Sequence, residues 1–194
     1  MSPVTHLFLG WAIANSADLN RRDRAFVTAA GVIPDIDGLG IIAELATRNS
    51  ANPLTRWSDY HHVLGHNVGF CLLFSLIAFF ASGRNIKTAL LVFASFHVHL
   101  IADVLGARGP DGDQWPIPYL LPFSDVLWLK WEYQWGLNAW PNVVLTILLI
   151  GSSIVLAIRR GFSPVELVSK KTDRIVVETL RKRFPQMRSH WTDS

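Results

Sequence analysis

Cysteine and charge are both scarce in this chain. Only one of its 194 residues is cysteine, and 17% are charged, against roughly 25% in soluble domains. A single cysteine excludes a disulfide framework and a cysteine-based zinc site. The opening Met-Ser-Pro-Val-Thr-His has no basic run ahead of an apolar one, so we expect no removable signal peptide. No pattern of basic and aromatic residues predicts nucleic-acid binding.

Apolar residues are abundant instead, at 50% of the chain. The segments 67–82, 86–105 and 142–158 approach the length of about 20 residues that a membrane-spanning helix requires. Two shorter apolar stretches, 4–17 and 25–33, predict either short or partly inserted helices or helices packed against the spanning ones. We therefore predict an all-α integral membrane bundle with about three spanning helices and two shorter N-terminal ones.

Two regions are expected: a membrane-embedded helical domain over residues 1–160 and a basic tail over residues 161–194. In the tail, Ser163-Pro164-Val165-Glu166 is typical of a capped helix start. A rough apolar stripe follows at Val165, Val168, Ile175, Leu180 and Phe184. We predict an amphipathic helix on the anionic cytoplasmic leaflet; an ordinary solvated helix is the alternative.

Basic residues predict an orientation in the inner (plasma) membrane. The three clusters lie between the N-terminal stretches, between the first two spanning segments and after the last one: Arg21, Arg22 and Arg24; Arg84 and Lys87; Arg159 and Arg160. The positive-inside rule places all three clusters in the cytoplasm. The opposite helix ends, and the Trp-rich loop over residues 105–142, are then expected at the outer face.

Histidines and aspartates are concentrated at those opposite ends, and all but His190 of the seven histidines are near them. The candidate metal ligands are His6, Asp35, Asp37, His61, His62, His66, His99 and Asp103. Nitrogen and oxygen ligands without sulfur suit zinc, manganese or iron, and the surplus of carboxylates allows more than one ion.

Spacing ranks these residues. His99 and Asp103 are one helical turn apart on the same face, and a carboxylate in an apolar helix is costly unless it is paired. His97 points to a nearly opposite face and is expected to pack or to support a ligand. His6 alone would be a weak candidate and gains weight only from the shared membrane face.

The other two groups leave alternatives open. Asp35 and Asp37 lie on a predicted turn that either reaches a common ion or is a solvated Asx turn. If residues 61–66 are helical, His62 and His66 share a face; if they form a loop, His61 and His66 can both turn inward.

At these positions the chain resembles the YdjM-type predicted membrane-bound metal-dependent hydrolases. The matching motifs are Thr5-His6, Pro34-Asp35-Ile36-Asp37, residues 61–67, and Val98-His99 to Asp103, followed by Leu121-Pro122-Phe123-Ser124. The chain departs from the family pattern at His62, Gly65, Asn67 and Val98. The resemblance selects His61 as the partner of His66, whereas helical spacing selects His62.

The resemblance implies a function as well. The family is distantly similar to zinc-dependent phospholipase C and single-strand nucleases, which are helical and hydrolyse phosphodiesters with several zinc ions. We therefore expect a membrane-bound hydrolase that acts on a lipid or lipid-linked phosphoester, with a metal-activated water and Asp35 or Asp37 as proton acceptor. The alternative is a metal-binding or metal-sensing membrane protein without turnover, and the sequence leaves the oligomeric state open.

Overall fold

The computed structural model describes residues 1–55, 61–109 and 112–187, and helices dominate them. They are α1 (Pro3–Ala14), α2 (Arg21–Ala30), α3 (Gly40–Thr47), α4 (Val68–Ala81), α5 (Ile86–Gly106), α6 (Trp140–Arg160) and α7 (Lys170–Arg183). Short 3-10 helices cover Ile33–Leu39, Pro164–Leu167 and Pro185–Met187. The predicted all-α class is confirmed; His190 lies outside the described residues.

Within the described part of the chain, the only two strands lie in the long loop before α6. There β1 (Ile117–Pro118) pairs antiparallel with β2 (Trp128–Leu129). The same loop provides hydrogen-bond acceptors for the first turn of α4. The Val68 and Gly69 amides donate to the carbonyls of Tyr119 and Leu121. The loop that the sequence marks only as rich in Trp, Pro and Gly is therefore a built part of the fold.

Short polar side chains start five of the helices. Each accepts a hydrogen bond from a backbone amide of the first turn, which otherwise has no partner. These residues are Ser2, Asn20, Asn67, Asn85 and Ser169. At the other end of α6, Gly161 adopts a left-handed conformation (φ 81°), which glycine allows without strain.

Helix α5 lies at the centre of the bundle and packs against α1, α2 and α4. Its buried face carries Val92, Phe96 and Leu100. Helix α1 also packs against α2 and α6. A Cβ on Gly31 would lie 2.7 Å from the His6 carbonyl oxygen, so this glycine allows α1 and the end of α2 to touch. Their close contact brings His6 next to the turn that carries the aspartates.

Among the described residues, two helices, α5 and α6, are long and apolar enough to cross a membrane. A third span is possible if α2 and the segment Ile33–Thr47, which bend by 54° at their junction, count as one. The predicted number of about three is thus confirmed. The predicted span over 67–82 forms the 14-residue helix α4, about 21 Å long, which is shorter than a ~30 Å hydrocarbon core.

The predicted helix start at Ser163 is confirmed only for one short 3-10 helix, Pro164–Leu167, which Ser163 caps by accepting from the Val165 amide. The α-helix α7 starts later, at Lys170. The capping box fails because both partners are engaged elsewhere. The Ser163 amide donates to Asp173, and the Glu166 carboxylate accepts from buried Arg24 at 2.7 and 3.1 Å. The Arg24 guanidinium also stacks on Phe162.

These contacts fix the beginning of the tail against α2 and leave a C-terminal amphipathic helix. Its buried residues are Asp173 and Val177, while Val168 and Ile175 of the predicted stripe are exposed. The division of the chain at residue 160, where α6 ends, stays a prediction.

Candidate metal centre

His99 is oriented by the backbone of a neighbouring helix. Its Nδ1 lies 2.9 Å from the carbonyl oxygen of Gly31, which can only accept a hydrogen bond. Nδ1 therefore carries a proton, and in the neutral ring the lone pair is on Nε2. That Nε2 lies 3.0 Å from Asp103 Oδ2, one helical turn along α5, and 3.7 Å from Asp35 Oδ1.

His66 is oriented in the same way, by a carboxylate. Its Nδ1 donates to Asp37 Oδ2 at 3.1 Å, and the same oxygen accepts from the Gly65 amide at 3.0 Å. The other oxygen of Asp37 accepts from His61 Nδ1 at 3.1 Å. Asp37 thus holds two histidines, the arrangement that a carboxylate behind a metal-ligating histidine typically has.

The two oriented histidines face each other. The Nε2 atoms of His66 and His99 are 3.1 Å apart, and both rings are fully buried. Two lone pairs at this distance repel each other unless a proton or a metal cation lies between them. Burial alone lowers the pKa of His66, but the carboxylates of Asp103, Asp35 and Asp37 raise it well above its usual value. This position therefore favours a positive charge.

Asp103 joins the histidine pair to α1. Its Oδ1 accepts from His6 Nε2 at 2.9 Å and contacts the Met1 nitrogen. Its Oδ2 makes no hydrogen bond within the described residues, and neither do Asp35 Oδ2 and His6 Nδ1, although all three atoms are buried. Buried polar atoms without partners are costly, and ligand positions are one place where they persist.

His62 lies beside this pair and stacks on His66 with ring centroids 4.3 Å apart. Its backbone is left-handed (φ 65°), a conformation that costs a non-glycine residue energy and that is concentrated at functional sites. Burial lowers the pKa of His62 to about 3, so its ring is neutral near pH 7 and can donate a lone pair.

Two sets of ligand atoms could each hold a cation. In the first set the atoms come from His6, Asp35, His99 and Asp103; in the second they come from His62, His66 and Asp103. Within each set, every pair of ligand atoms is within 4.8 Å. Asp103 belongs to both sets and has two oxygens, so it can be shared between two ions.

All eight residues that the sequence predicts as ligands therefore meet in one place. Residues 61–67 form turns rather than a helix, yet both alternatives for the histidine pair lie at the site. His61 binds Asp37, while His62 belongs to a ligand set. His97 is apart from the cluster, as expected: it donates from Nδ1 to the Phe93 carbonyl and accepts from the Tyr119 hydroxyl at 2.8 Å.

A cavity of about 480 Å³ opens onto the cluster and is lined by Asp35, His61 and His62 among others. The ring of Trp115 lies edge-on to both histidines, with centroids 5.3 and 5.2 Å away. One tryptophan of the Trp-rich loop thus covers the site. Pattern reasoning missed the Gly31 carbonyl, because nothing in the sequence shows which backbone oxygen a histidine will meet.

Together, the helices and this buried centre define an integral membrane protein with a histidine–aspartate site at one end of its bundle. The chain belongs to the family described as YdjM inner membrane protein, whose model matches residues 1–179. No curated protein and no solved structure gives a significant match. This match confirms the family that the motifs indicate. It also confirms that the family is one of inner membrane proteins.

Replacing Gly65 by alanine should destabilise the site. The added Cβ would lie 2.1 Å from the Pro34 carbonyl oxygen, so the segment carrying His66 must move away from Asp37. We expect a loss of about 1–3 kcal/mol, measured by thermal unfolding in detergent. Gly151→Ala in α6 is the control, since a Cβ there meets nothing within 4 Å. Equal unfolding temperatures for the two variants would contradict the close contact.

Proposed function

We propose that this protein is a membrane-bound metal-dependent hydrolase, and that it acts on a phosphoester of a lipid or lipid-linked molecule. The observation that carries the proposal is the pair of buried, oriented histidine nitrogens beside Asp35 and Asp103. Such a set of imidazoles and carboxylates without sulfur suits zinc, with manganese and iron as alternatives.

The ligand atoms that remain without hydrogen bonds support the fit. His6, Asp35, His99 and Asp103 would hold one cation, and His62 and His66 would join Asp103 for a second. When bound, a divalent cation would polarise a phosphoryl oxygen and lower the pKa of a bound water. The protein supplies a dry, shaped surrounding, because most of these side chains are buried.

Asp35 and Asp37 receive different roles in this proposal. Asp35 lines the cavity and has one buried oxygen without a hydrogen bond within the described residues, so it can bind a cation or accept a proton. Both oxygens of Asp37 already accept hydrogen bonds. We therefore assign to Asp37 the positioning of His61 and His66.

The cavity supports turnover over mere sensing. A structural metal site is closed by protein ligands, whereas a catalytic one keeps an open position. Here the cluster borders a cavity large enough for a phosphate group, with His61 and Trp115 at its wall. Trp115 can contact a headgroup there.

Metal content and hydrolysis test the proposal together. Detergent-purified protein should retain divalent metal, measured by mass spectrometry, and should hydrolyse bis(p-nitrophenyl) phosphate. A chelator should abolish hydrolysis and zinc should restore it. His99→Ala and Asp103→Ala should lose most of the metal because each removes a buried ligand, and hydrolysis should fall at least about 100-fold.

His97→Ala is the matched control, since His97 is on the same helix but outside the cluster. It should keep its metal. Wild-type protein that binds no metal even after incubation with zinc would contradict the proposal. Metal that is retained without hydrolysis would favour the sensing alternative.

We further propose that the site lies at the outer face of the inner membrane and that the C-terminus is cytoplasmic. The clusters of arginine and lysine at the opposite helix ends support this orientation. Helix α5 links the two ends: Lys87 is in its first turn and Asp103 in its last, about 24 Å apart along the axis.

Cysteine labelling in intact cells tests the orientation. In a Cys71→Ala background, an impermeant maleimide should label cysteines at Leu64 and Asp113 but not at Lys87 and Lys171. All four positions are exposed, so each should react once the cells are permeabilised. Labelling of Lys87 and Lys171 alone in intact cells would reverse the orientation.

A further inference from the structure

A groove leads away from the metal centre along the membrane-spanning helix α6. Besides the cavity at the cluster, the structure has a second cavity of about 320 Å³ between α1 and α6. The two cavities share three lining residues, Ser2, Leu137 and Asn138. The two cavities therefore adjoin each other at these three residues, one on the side of the cluster and the other on the side of α6.

Four polar side chains in this groove, those of Ser2, Thr5, Asn142 and Thr146, already make hydrogen bonds. The Thr5 hydroxyl is 2.8 Å from the Ser2 hydroxyl and 2.6 Å from the Thr146 hydroxyl, which also donates to the Asn142 carbonyl. The Asn142 amide donates to three backbone carbonyls. A polar ligand would find few unpaired hydrogen-bonding partners here. An apolar ligand needs no such partners and would leave the existing hydrogen bonds intact.

The far end of the groove opens where lipid is expected. Val143 and Ile147 line this end. In the most apolar segment of α6 only 22% is buried inside the protein, against 50% in the corresponding segment of α5. Most of the surface of α6 is thus free to contact hydrocarbon. The hydrocarbon chain of a bilayer lipid can therefore reach the groove from the side, without passing through water.

We propose that this groove holds the hydrocarbon chain of the substrate while its phosphoester lies in the cavity at the metal centre. This inference rests on the proposed hydrolase function and narrows the substrate class to lipids with a flexible apolar chain that enter laterally. A second apolar groove, lined by Leu64, Phe70 and Leu73, shares no lining residue with the cavity at the cluster and is not assigned this role.

Photo-cross-linking tests the assignment without requiring turnover. The full chain is reconstituted in phosphatidylethanolamine and phosphatidylglycerol vesicles that contain phosphatidic acid with a diazirine in one acyl chain. After irradiation, adducts are mapped by mass spectrometry. We expect several-fold more adducts at Val143, Ile147 and residues 2–5 than at Val144 and Leu148, because the groove retains a chain longer than open lipid does.

Two pairs of neighbouring residues provide matched variants. Ile147 and Leu148 are both 62% exposed, and Val143 and Val144 are 51% and 45% exposed, but only the first of each pair lines the groove. The double variant Val143→Trp/Ile147→Trp should fill the groove and reduce the adducts at residues 2–5 several-fold. The control Val144→Trp/Leu148→Trp should leave them unchanged.

The outcomes separate the groove from the hydrolase. Equal adducts on both faces of α6, or no effect of the double variant, would mean ordinary contact with bulk lipid and would overturn the groove. If the wild type hydrolyses a water-soluble diester but shows that result, only the groove is wrong. If the wild type binds no metal but its adducts are concentrated in the groove, the proposed lipid site stands and the proposed hydrolase function is contradicted.

Discussion

Two buried imidazole nitrogens that face each other across 3.1 Å govern the structure around them. In the neutral rings the lone pairs are on these two nitrogens, because the other nitrogen of each ring already donates, His99 to the Gly31 carbonyl and His66 to Asp37. Asp35 and Asp103 add negative charge next to them, and buried carboxylates are costly without a compensating cation. The fold therefore favours the binding of a positive charge, a proton or a metal cation, between these two nitrogens.

Backbone approach makes that point possible. Helices α1 and α2 touch at Gly31, and the turn carrying His66 touches Pro34 at Gly65. A side chain at either glycine would separate elements whose histidine and aspartate side chains lie a few ångströms apart. At the opposite end of the bundle, the buried pair of Arg24 and Glu166 holds the start of the tail against α2. The start of the tail is thereby held at the opposite end of α2 from the histidine–aspartate cluster.

Much of this could be predicted from the sequence, and for physical reasons. Hydrophobic length indicates spanning helices, and a carboxylate such as Asp103 in an apolar helix indicates a paired or ligating group. Charge distribution then groups four separated motifs at one face, and the structure brings all of them together. His97 was separated from His99 by helical spacing alone, and its contacts agree.

Other features depend on tertiary contacts that local patterns do not encode. The capping box at Ser163 fails because Glu166 is drawn to Arg24, on a helix more than a hundred residues away in the chain. Helix α3 was not predicted. None of its residues is buried, Ile42 among them, so its apolar residues do not form the regular spacing of a helix with one buried face. The choice between His61 and His62 could not be made either, since turns rather than a helix carry both to the site.

X-ray absorption at the zinc edge of the purified, zinc-loaded protein tests the central claim most directly. The account predicts zinc bound only by nitrogen and oxygen, with the outer-shell scattering of at least two imidazole rings and with no sulfur. His99→Ala should lower the imidazole contribution. A spectrum with a sulfur ligand from Cys71, or of zinc surrounded by water alone, would contradict a metal centre at these histidines and aspartates.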